Sequence, residues 1–384
     1  MGSAGTLENT LLGAPATLAL DDADLALFVL NVGDGDSLVL RFPSIGSGAA
    51  YGIVDCFHAD KTLRLLDDLG ASRLRFVCAT HPHFDHIKGL RAVLKAYDGQ
   101  IDEFWDSGFR FTSATYQALI QEVERQHIRF VRPTSGFEAD VNGARLTVLS
   151  PSIYLRNRYD TYGVDANNAS IVLRVAYPEN PPSTDYPKPS DVEKRKSTKA
   201  LLTRTLILGG DAQTDAWGRV MDEFPHFRND EGNWARQISA RTGRQPLACD
   251  LFKVSHHGSK RGINLELVER MGDTTGQGPS DGPRILVISS ASDADSTYGF
   301  PHSVTQELLR EVRDPQAQAG GTHPSDGEMG IHHTAQTLAS PASAPAGSVA
   351  FVSSANGARS LYRFGDRDDE LVDLQKARRV RNVR

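Results

Sequence analysis

The run Thr80-His81-Pro82-His83-Phe84-Asp85-His86 packs three imidazoles and a carboxylate into six residues, directly after the apolar segment Leu74–Ala79. That spacing reads as a metal site. In an extended segment, residues two apart point the same way, so His81 and His83 can close on one ion while Asp85 and His86 turn towards another. Imidazole nitrogen and carboxylate oxygen without thiolate suit zinc or manganese, and a loop that follows a buried strand can leave coordination positions open to water. A chance cluster of surface histidines is the alternative. Against it, a second pair, His256-His257, and a late acidic residue, Asp211, recur at strand ends downstream.

A chain of 384 residues exceeds the size at which one core usually stops growing, yet a layered sheet protein with insertions fits that length. The formal charge of −6 gives no global attraction to nucleic acid, so a polynucleotide substrate needs a local basic patch or a metal-dominated site. Cys56, Cys78 and Cys249 offer neither an even count nor a Cys-x-x-Cys pair, and read as buried free thiols in a reducing compartment. No run approaches about eighteen apolar residues, so a soluble, cytoplasmic protein without membrane contact is expected.

Short β-rich runs at 25–32, 37–42 and 51–55 open the chain; helical periodicity at 61–69, 87–97 and 114–126 then alternates with strands at 74–79, 101–105 and 128–131. A second strand-rich half runs through 145–149, 170–176, 201–208, 250–254 and 284–288, with helices expected at 214–221, 265–271 and 303–313. Two strand-rich halves, each with helices outside, predict an α/β fold of the four-layer αββα type. The expected divisions are an N-terminal extension (1–24), a main two-sheet domain (25–314), a low-complexity loop (315–347), a C-terminal strand pair (348–374) turning at Asn356-Gly357, and a basic tail (375–384) read as a solvated terminus. The loops at 178–199 and 272–283 share the low-complexity character, and His332-His333 reads as exposed.

The pattern resembles the metallo-β-lactamase superfamily, whose hallmark is His-x-His-x-Asp-His at a strand end. Asp55 after Tyr51-Gly52-Ile53-Val54, the segment Leu206-Ile207-Leu208-Gly209-Gly210-Asp211 and the segment Lys253-Val254-Ser255-His256-His257-Gly258-Ser259 resemble its other motifs, in its order. Asn31-Val32-Gly33-Asp34-Gly35-Asp36-Ser37 and Tyr298-Gly299-Phe300-Pro301-His302 resemble the ComEC-type branch, the hydrolase domains related to a DNA-uptake protein, here without the membrane channel.

The resemblance implies two divalent ions, zinc or manganese. His81 and His83 would hold one, Asp85 and His86 the second, with Asp211 bridging and His257 completing the second. Asp55, and with it Asp36, takes a supporting place, orienting a ligand imidazole or bound water. Asn168 stands where most of the superfamily supplies another histidine, which leaves the first site more open. Neighbours in an extended segment face opposite ways, so His256 is expected to contact a phosphate oxygen rather than the ion of His257. His302 and Tyr298 suit substrate contact or proton donation, Asp85 serves catalysis as well as ligation, and Lys88 either meets an anionic substrate or solvates a helix start. The implied activity is a phosphodiesterase or nuclease using a metal-bridging hydroxide, with nucleic acid or another phosphodiester as partner. Two alternatives stand beside it: hydrolysis of small esters, thioesters or lactones on the same fold, and an effector or binding module regulated by a protein partner.

Overall fold

A computed structural model of the protein describes residues 12–46, 48–109, 111–158, 165–178, 203–225, 246–271, 284–292, 295–313, 325–335 and 347–381. The loops expected at 178–199 and 272–283 lie outside these residues, apart from Pro178. The chain first builds β1 (Leu12–Ala16), β2 (Leu25–Val29), β3 (Ser37–Ser44), β4 (Ala49–Cys56), β5 (Leu74–Ala79), β6 (Ile101–Asp106) and β7 (Arg129–Val131). It then builds β8 (Glu138–Val141), β9 (Ala144–Ser150), β10 (Val172–Tyr177), β11 (Arg204–Leu208), β12 (Leu251–Lys253), β13 (Ile285–Ile288) and β14 (Ile331–His333). Finally β15 (Val349–Ser353), β16 (Arg359–Arg363) and β17 (Ala377–Val380) return to the first group. Among the described residues this gives a ten-stranded sheet ordered β1-β17-β16-β15-β2-β3-β4-β5-β6-β7 and a seven-stranded sheet ordered β14-β13-β12-β11-β10-β9-β8.

Three apolar seams make these sheets the inner layers of an αββα sandwich. In β2, Leu25, Leu27 and Val29 face the opposite sheet, where they meet the same cluster as Val148, Leu173, Leu206 and Leu251. Ala26 and Phe28, the alternate residues, face outwards with Leu65 and Leu66 of α1 (Ala59–Asp68). Continuous apolar strands of this kind are buried on both faces. Behind the smaller sheet, Ala216, Trp217 and Val220 of the helix Thr214–Glu223 pack with Leu267 and Leu309.

Strand direction puts the histidine motifs together. β4 to β7 run parallel, and so do β11 to β14. Parallel neighbours need crossovers that return to the same starting edge, so every loop leaving a C-terminal end emerges on one side. Asp55 is the last residue but one of β4, and Thr80–His86, Asp211, Ser255–Gly258 and Ser289 follow other such ends.

Five expectations need correction. Residues 12–16, assigned to an extension, and 377–380, assigned to a solvated basic tail, pair with each other at one edge of the larger sheet, with Val380 and Leu12 in the central core. The low-complexity stretch 315–347 contains β14, which closes one edge of the smaller sheet. His332 and His333 therefore lie buried rather than exposed. The single helix expected at 87–97 is two, Phe84–Ile87 and Leu90–Ala96, because Gly89 N–H binds Cys56 O there and a Cβ on Gly89 would meet Cys56 Sγ at 2.7 Å.

Candidate metal centre

Asp211 is the buried hub. The turn after β11 brings it there through Gly210, at φ 50°, where a Cβ would press on Ile171 O and Ser170 Cβ at 3.2 Å. Ser170 Oγ accepts a hydrogen bond from Asp211 N. The two carboxylate oxygens look at different rings. Oδ1 lies 3.2 Å from His86 Nε2 and 3.5 Å from His257 Nε2, whereas Oδ2 lies 3.8 Å from His81 Nε2 and 3.6 Å from His256 Nε2. Asp85 Oδ2 joins the first group, 3.7 Å from His86 Nε2 and 3.5 Å from His257 Nε2. On the other side, His83 Nδ1 stands 3.0 Å from His81 Nε2.

The outer nitrogens fix what the inner ones can do. His86 Nδ1 meets Asp55 Oδ2 at 2.7 Å and His257 Nδ1 meets Ser289 O at 3.0 Å, both acceptors, so each Nδ1 donates. In the neutral rings the two Nε2 atoms then face each other at 3.3 Å as lone pairs. Asp211 Oδ1, between them, is buried with no hydrogen-bond partner. Two carboxylate oxygens and two imidazole nitrogens meeting in one buried spot suit a cation. Asp85, His86, Asp211 and His257 place their ligand atoms within 4.8 Å of one another, and their chemistry fits a divalent ion bound by nitrogen and oxygen.

The electrostatics carry the same demand. Burial disfavours a charged His86, but Asp211, Asp55 and Asp85 outweigh it and hold its pKa well above the ordinary imidazole value. Burial likewise opposes ionisation of Asp211, and His86, His257 and His81 reverse that, leaving its carboxyl well below the usual range. His81 goes the other way: burial and the neighbouring His86 push it well down, so it is neutral and free to ligate. Four carboxylates, Asp36, Asp55, Asp85 and Asp211, surround this spot, and Lys253 pairs with Asp36.

A supporting layer holds the rings. Asp55, at φ 59°, accepts from Thr80 N at 2.7 Å and Thr80 Oγ1 at 2.6 Å while it orients His86. Asp36 accepts from Lys253 Nζ and Ser289 Oγ, and so ties the opening turn of the large sheet to two strand ends of the smaller one. Burial raises the Asp36 carboxyl, yet Lys253, His257 and His86 lower it further, so it stays ionised.

Residues 30–137 match the family model described as the metallo-beta-lactamase superfamily. Over these residues the chain is similar to that superfamily. No curated protein matches it. Among solved structures it is similar to a CmlA beta-hydroxylase mutant, at 10% identity over 82% of this chain and 53% of that one, TM-score 0.38. It is also similar to a long-form RNase Z from yeast, at 12% identity over 71% of this chain and 38% of that one, TM-score 0.35. A diphosphatase from the PhnP family matches at 10% identity over 74% and 91%, TM-score 0.34. The match thus spans about half of the hydroxylase and 38% of the ribonuclease.

The remaining candidates sit around this centre in different ways. Asn168 is absent from it: its Oδ1 accepts from Ala216 N at 3.2 Å, at the start of the helix Thr214–Glu223. His256 and His257 both reach Asp211, one per oxygen, because their φ values of 52° and 53° make a left-handed turn rather than a strand. Successive side chains of a helical turn diverge by about 100° instead of 180°. His302 lies beyond, its Nδ1 accepting from Val304 N at 3.3 Å as the next helix starts, which places the ring proton on Nε2. Tyr298, 67% exposed, stacks on Phe300 at 5.6 Å, and Phe300 stacks on His257 at 5.9 Å. Lys88 is exposed, with Nζ 4.4 Å from the Phe57 ring centre. Lys253, Ser289, Thr80 and Gln213 escaped the sequence reading. The one signal for them is that each follows or ends a strand beside a motif.

Proposed function

We propose that this chain is a two-metal phosphodiesterase acting on nucleic acid or nucleotide-like diesters. The observation that carries the reading is Asp211, which turns one oxygen to each of two groups of imidazoles. His81, His83 and Asp211 Oδ2 would hold one ion; Asp85, His86, His257 and Asp211 Oδ1 would hold the other. Bound there, a pair of divalent ions supplies a nucleophile from water at neutral pH and offsets charge on the phosphoryl oxygens.

The chain's own residues do the rest. Asp55 and Ser289 fix two ring orientations, and the layer from Phe300 to Tyr298 covers one side of His257. Exposed aromatic faces at Tyr298 and Phe84, with Lys88 beside Phe84 at 5.7 Å from its ring centre, suit a base stacked next to a phosphate. The ComEC-type resemblance of the opening turn and the closing Tyr298–His302 segment supports the same substrate class.

Turnover assays decide it. Metal-loaded protein should hydrolyse bis-p-nitrophenyl phosphate and cleave single-stranded DNA or RNA, with activity lost to chelator and regained with manganese or zinc. Efficient hydrolysis of nitrocefin or a thioester with no cleavage of any diester would sink the reading while leaving the metal centre intact.

A further inference from the structure

The centre so far gives one ion fewer partners than the other. His81 Nε2, His83 Nδ1 and Asp211 Oδ2 are three donors, and Asn168 is spent on a helix. His256 remains unassigned beside them. Its Nε2 lies 3.6 Å from Asp211 Oδ2, the oxygen that also faces His81, and not on the Oδ1 side where His86 and His257 gather.

We propose that His256 is a protein ligand of the first metal ion, the fourth with His81, His83 and Asp211. The way the ring is held supports this. In His81, His86 and His257 the outer Nδ1 meets a protein oxygen: Thr80 Oγ1 at 3.2 Å, Asp55 Oδ2 at 2.7 Å and Ser289 O at 3.0 Å, while Nε2 points towards Asp211. His256 also has Nε2 inwards, but its Nδ1 stands 3.4 Å from Nε2 of the buried Gln213, a donor; with the Gln213 amide turned so that its oxygen accepts from Nδ1, the inward Nε2 carries the lone pair a metal needs. Holding the far nitrogen so that the near one is aimed is what orients a metal-binding imidazole. Phe300 closes on the ring edge-on at 5.4 Å and restricts its rotation.

The backbone gives a second, independent indication. His256 occupies φ 52°, ψ 46°, and His257 and Gly258 continue the left-handed turn at φ 53° and 80°. Non-glycine residues in that region cost of order 1–3 kcal/mol each, and such strain persists where surrounding structure enforces it at functional sites. The turn is fixed from both sides: His256 N donates to Gly210 O at 2.9 Å, and a Cβ on Gly258 would meet Pro301 Cβ at 2.7 Å. An extended backbone would send one of the two rings away from Asp211. The left-handed turn lets adjacent histidines serve opposite oxygens of a single carboxylate.

The inference rests on the two-metal reading, and its test is metal content, which needs no substrate. Apo protein is reconstituted with excess cobalt(II), desalted and analysed for metal, with its visible spectrum recorded. Wild type should retain two equivalents, and His256→Ala should lose one of them, as His81→Ala does, while His257→Ala loses the other with a different spectral change. Two equivalents and an unaltered cobalt spectrum in a folded His256→Ala protein would overturn the assignment and make the ring a substrate contact. A wild-type stoichiometry of one would overturn both readings together. Should His256→Ala fail to fold, cobalt-loaded wild type labelled with nitrogen-15 histidine answers directly: His256 joins His81, His83, His86 and His257 among the paramagnetically shifted imidazoles, or it does not and the proposal falls.

Discussion

Asp55 is a fully buried carboxylate at positive φ whose acceptor capacity is spent inside the protein: Thr80 N, Thr80 Oγ1 and His86 Nδ1 all address it. Its burial raises its carboxyl pKa, with His86 and Thr80 pulling the other way, so the His86 hydrogen bond is what makes the charged form tolerable. Asp55→Asn removes that charge while keeping the size. Second-site affinity should fall about 10–100-fold with stoichiometry unchanged, read by competition against a chelator; an unaltered affinity would make Asp55 a strand-end cap only. The cluster is legible from spacing, since His81, His83, Asp85, His86, Asp211 and His257 converge around one hub. The opposite facing expected of His256 and His257 does not hold, because the alternation rule assumes a strand, and nothing in Ser-His-His-Gly announces a left-handed turn except its glycine.

Elements with clean periodicity came through, among them Leu74–Ala79, Ile101–Asp106 and Ser303–Arg313. Those missed lack the signal for physical reasons. β17 reads as a charge run because Arg378 and Arg379 interrupt Ala377 and Val380, yet those two apolar residues are buried and Arg378 Nε donates to Gly13 O. Deleting residues 377–384 should therefore act on stability: losing Val380 burial alone costs about 1.5–3 kcal/mol, seen as an earlier unfolding midpoint, with no change in nucleic-acid affinity per folded molecule. Loss of affinity at unchanged stability would restore the tail as a binding arm. β14 offers a second check. His332 is buried with neither ring nitrogen hydrogen-bonded, and burial, then Arg363 and His333, against Asp326, depress its pKa to about 3. A folded value below the unfolded one means the unfolded chain takes the proton first. Stability is thus complete above the ordinary imidazole value and declines as pH falls towards about 3. By pH 5 the loss from this one group is about 2 kcal/mol. His332→Leu should flatten that acid limb in denaturation midpoints compared at neutral pH and about pH 5; an equal slope in both proteins would refute it.

At the scale of the whole molecule, charge and topology divide the labour of binding. The chain carries a formal −6, so its long-range field repels a polyanion. The histidine cluster sits where parallel strands of both sheets end, and its carboxylates, unfavourable for a phosphate on their own, become an attractive site only with metal present. On the proposed function, affinity for nucleic acid should come from the ions, a few rim contacts such as Lys88, and stacking on Tyr298 and Phe84, rather than from a basic surface. Counterion release gives a slope of about −0.9 in log affinity per log salt for each phosphate neutralised on duplex DNA, and about −0.7 on single strands. Two or three phosphate contacts then predict a single-strand slope of about −1.4 to −2.1, rather than the roughly −4 or steeper of a basic face making about six or more contacts. The measurement is binding of a labelled single-stranded oligonucleotide to metal-loaded protein between about 50 and 200 mM salt. Tyr298→Ala should weaken binding by about 1–3 kcal/mol without altering that slope, because stacking releases no counterions. A steep slope, or one that Tyr298→Ala changes, would mean that a basic surface outside the described residues carries the recognition instead.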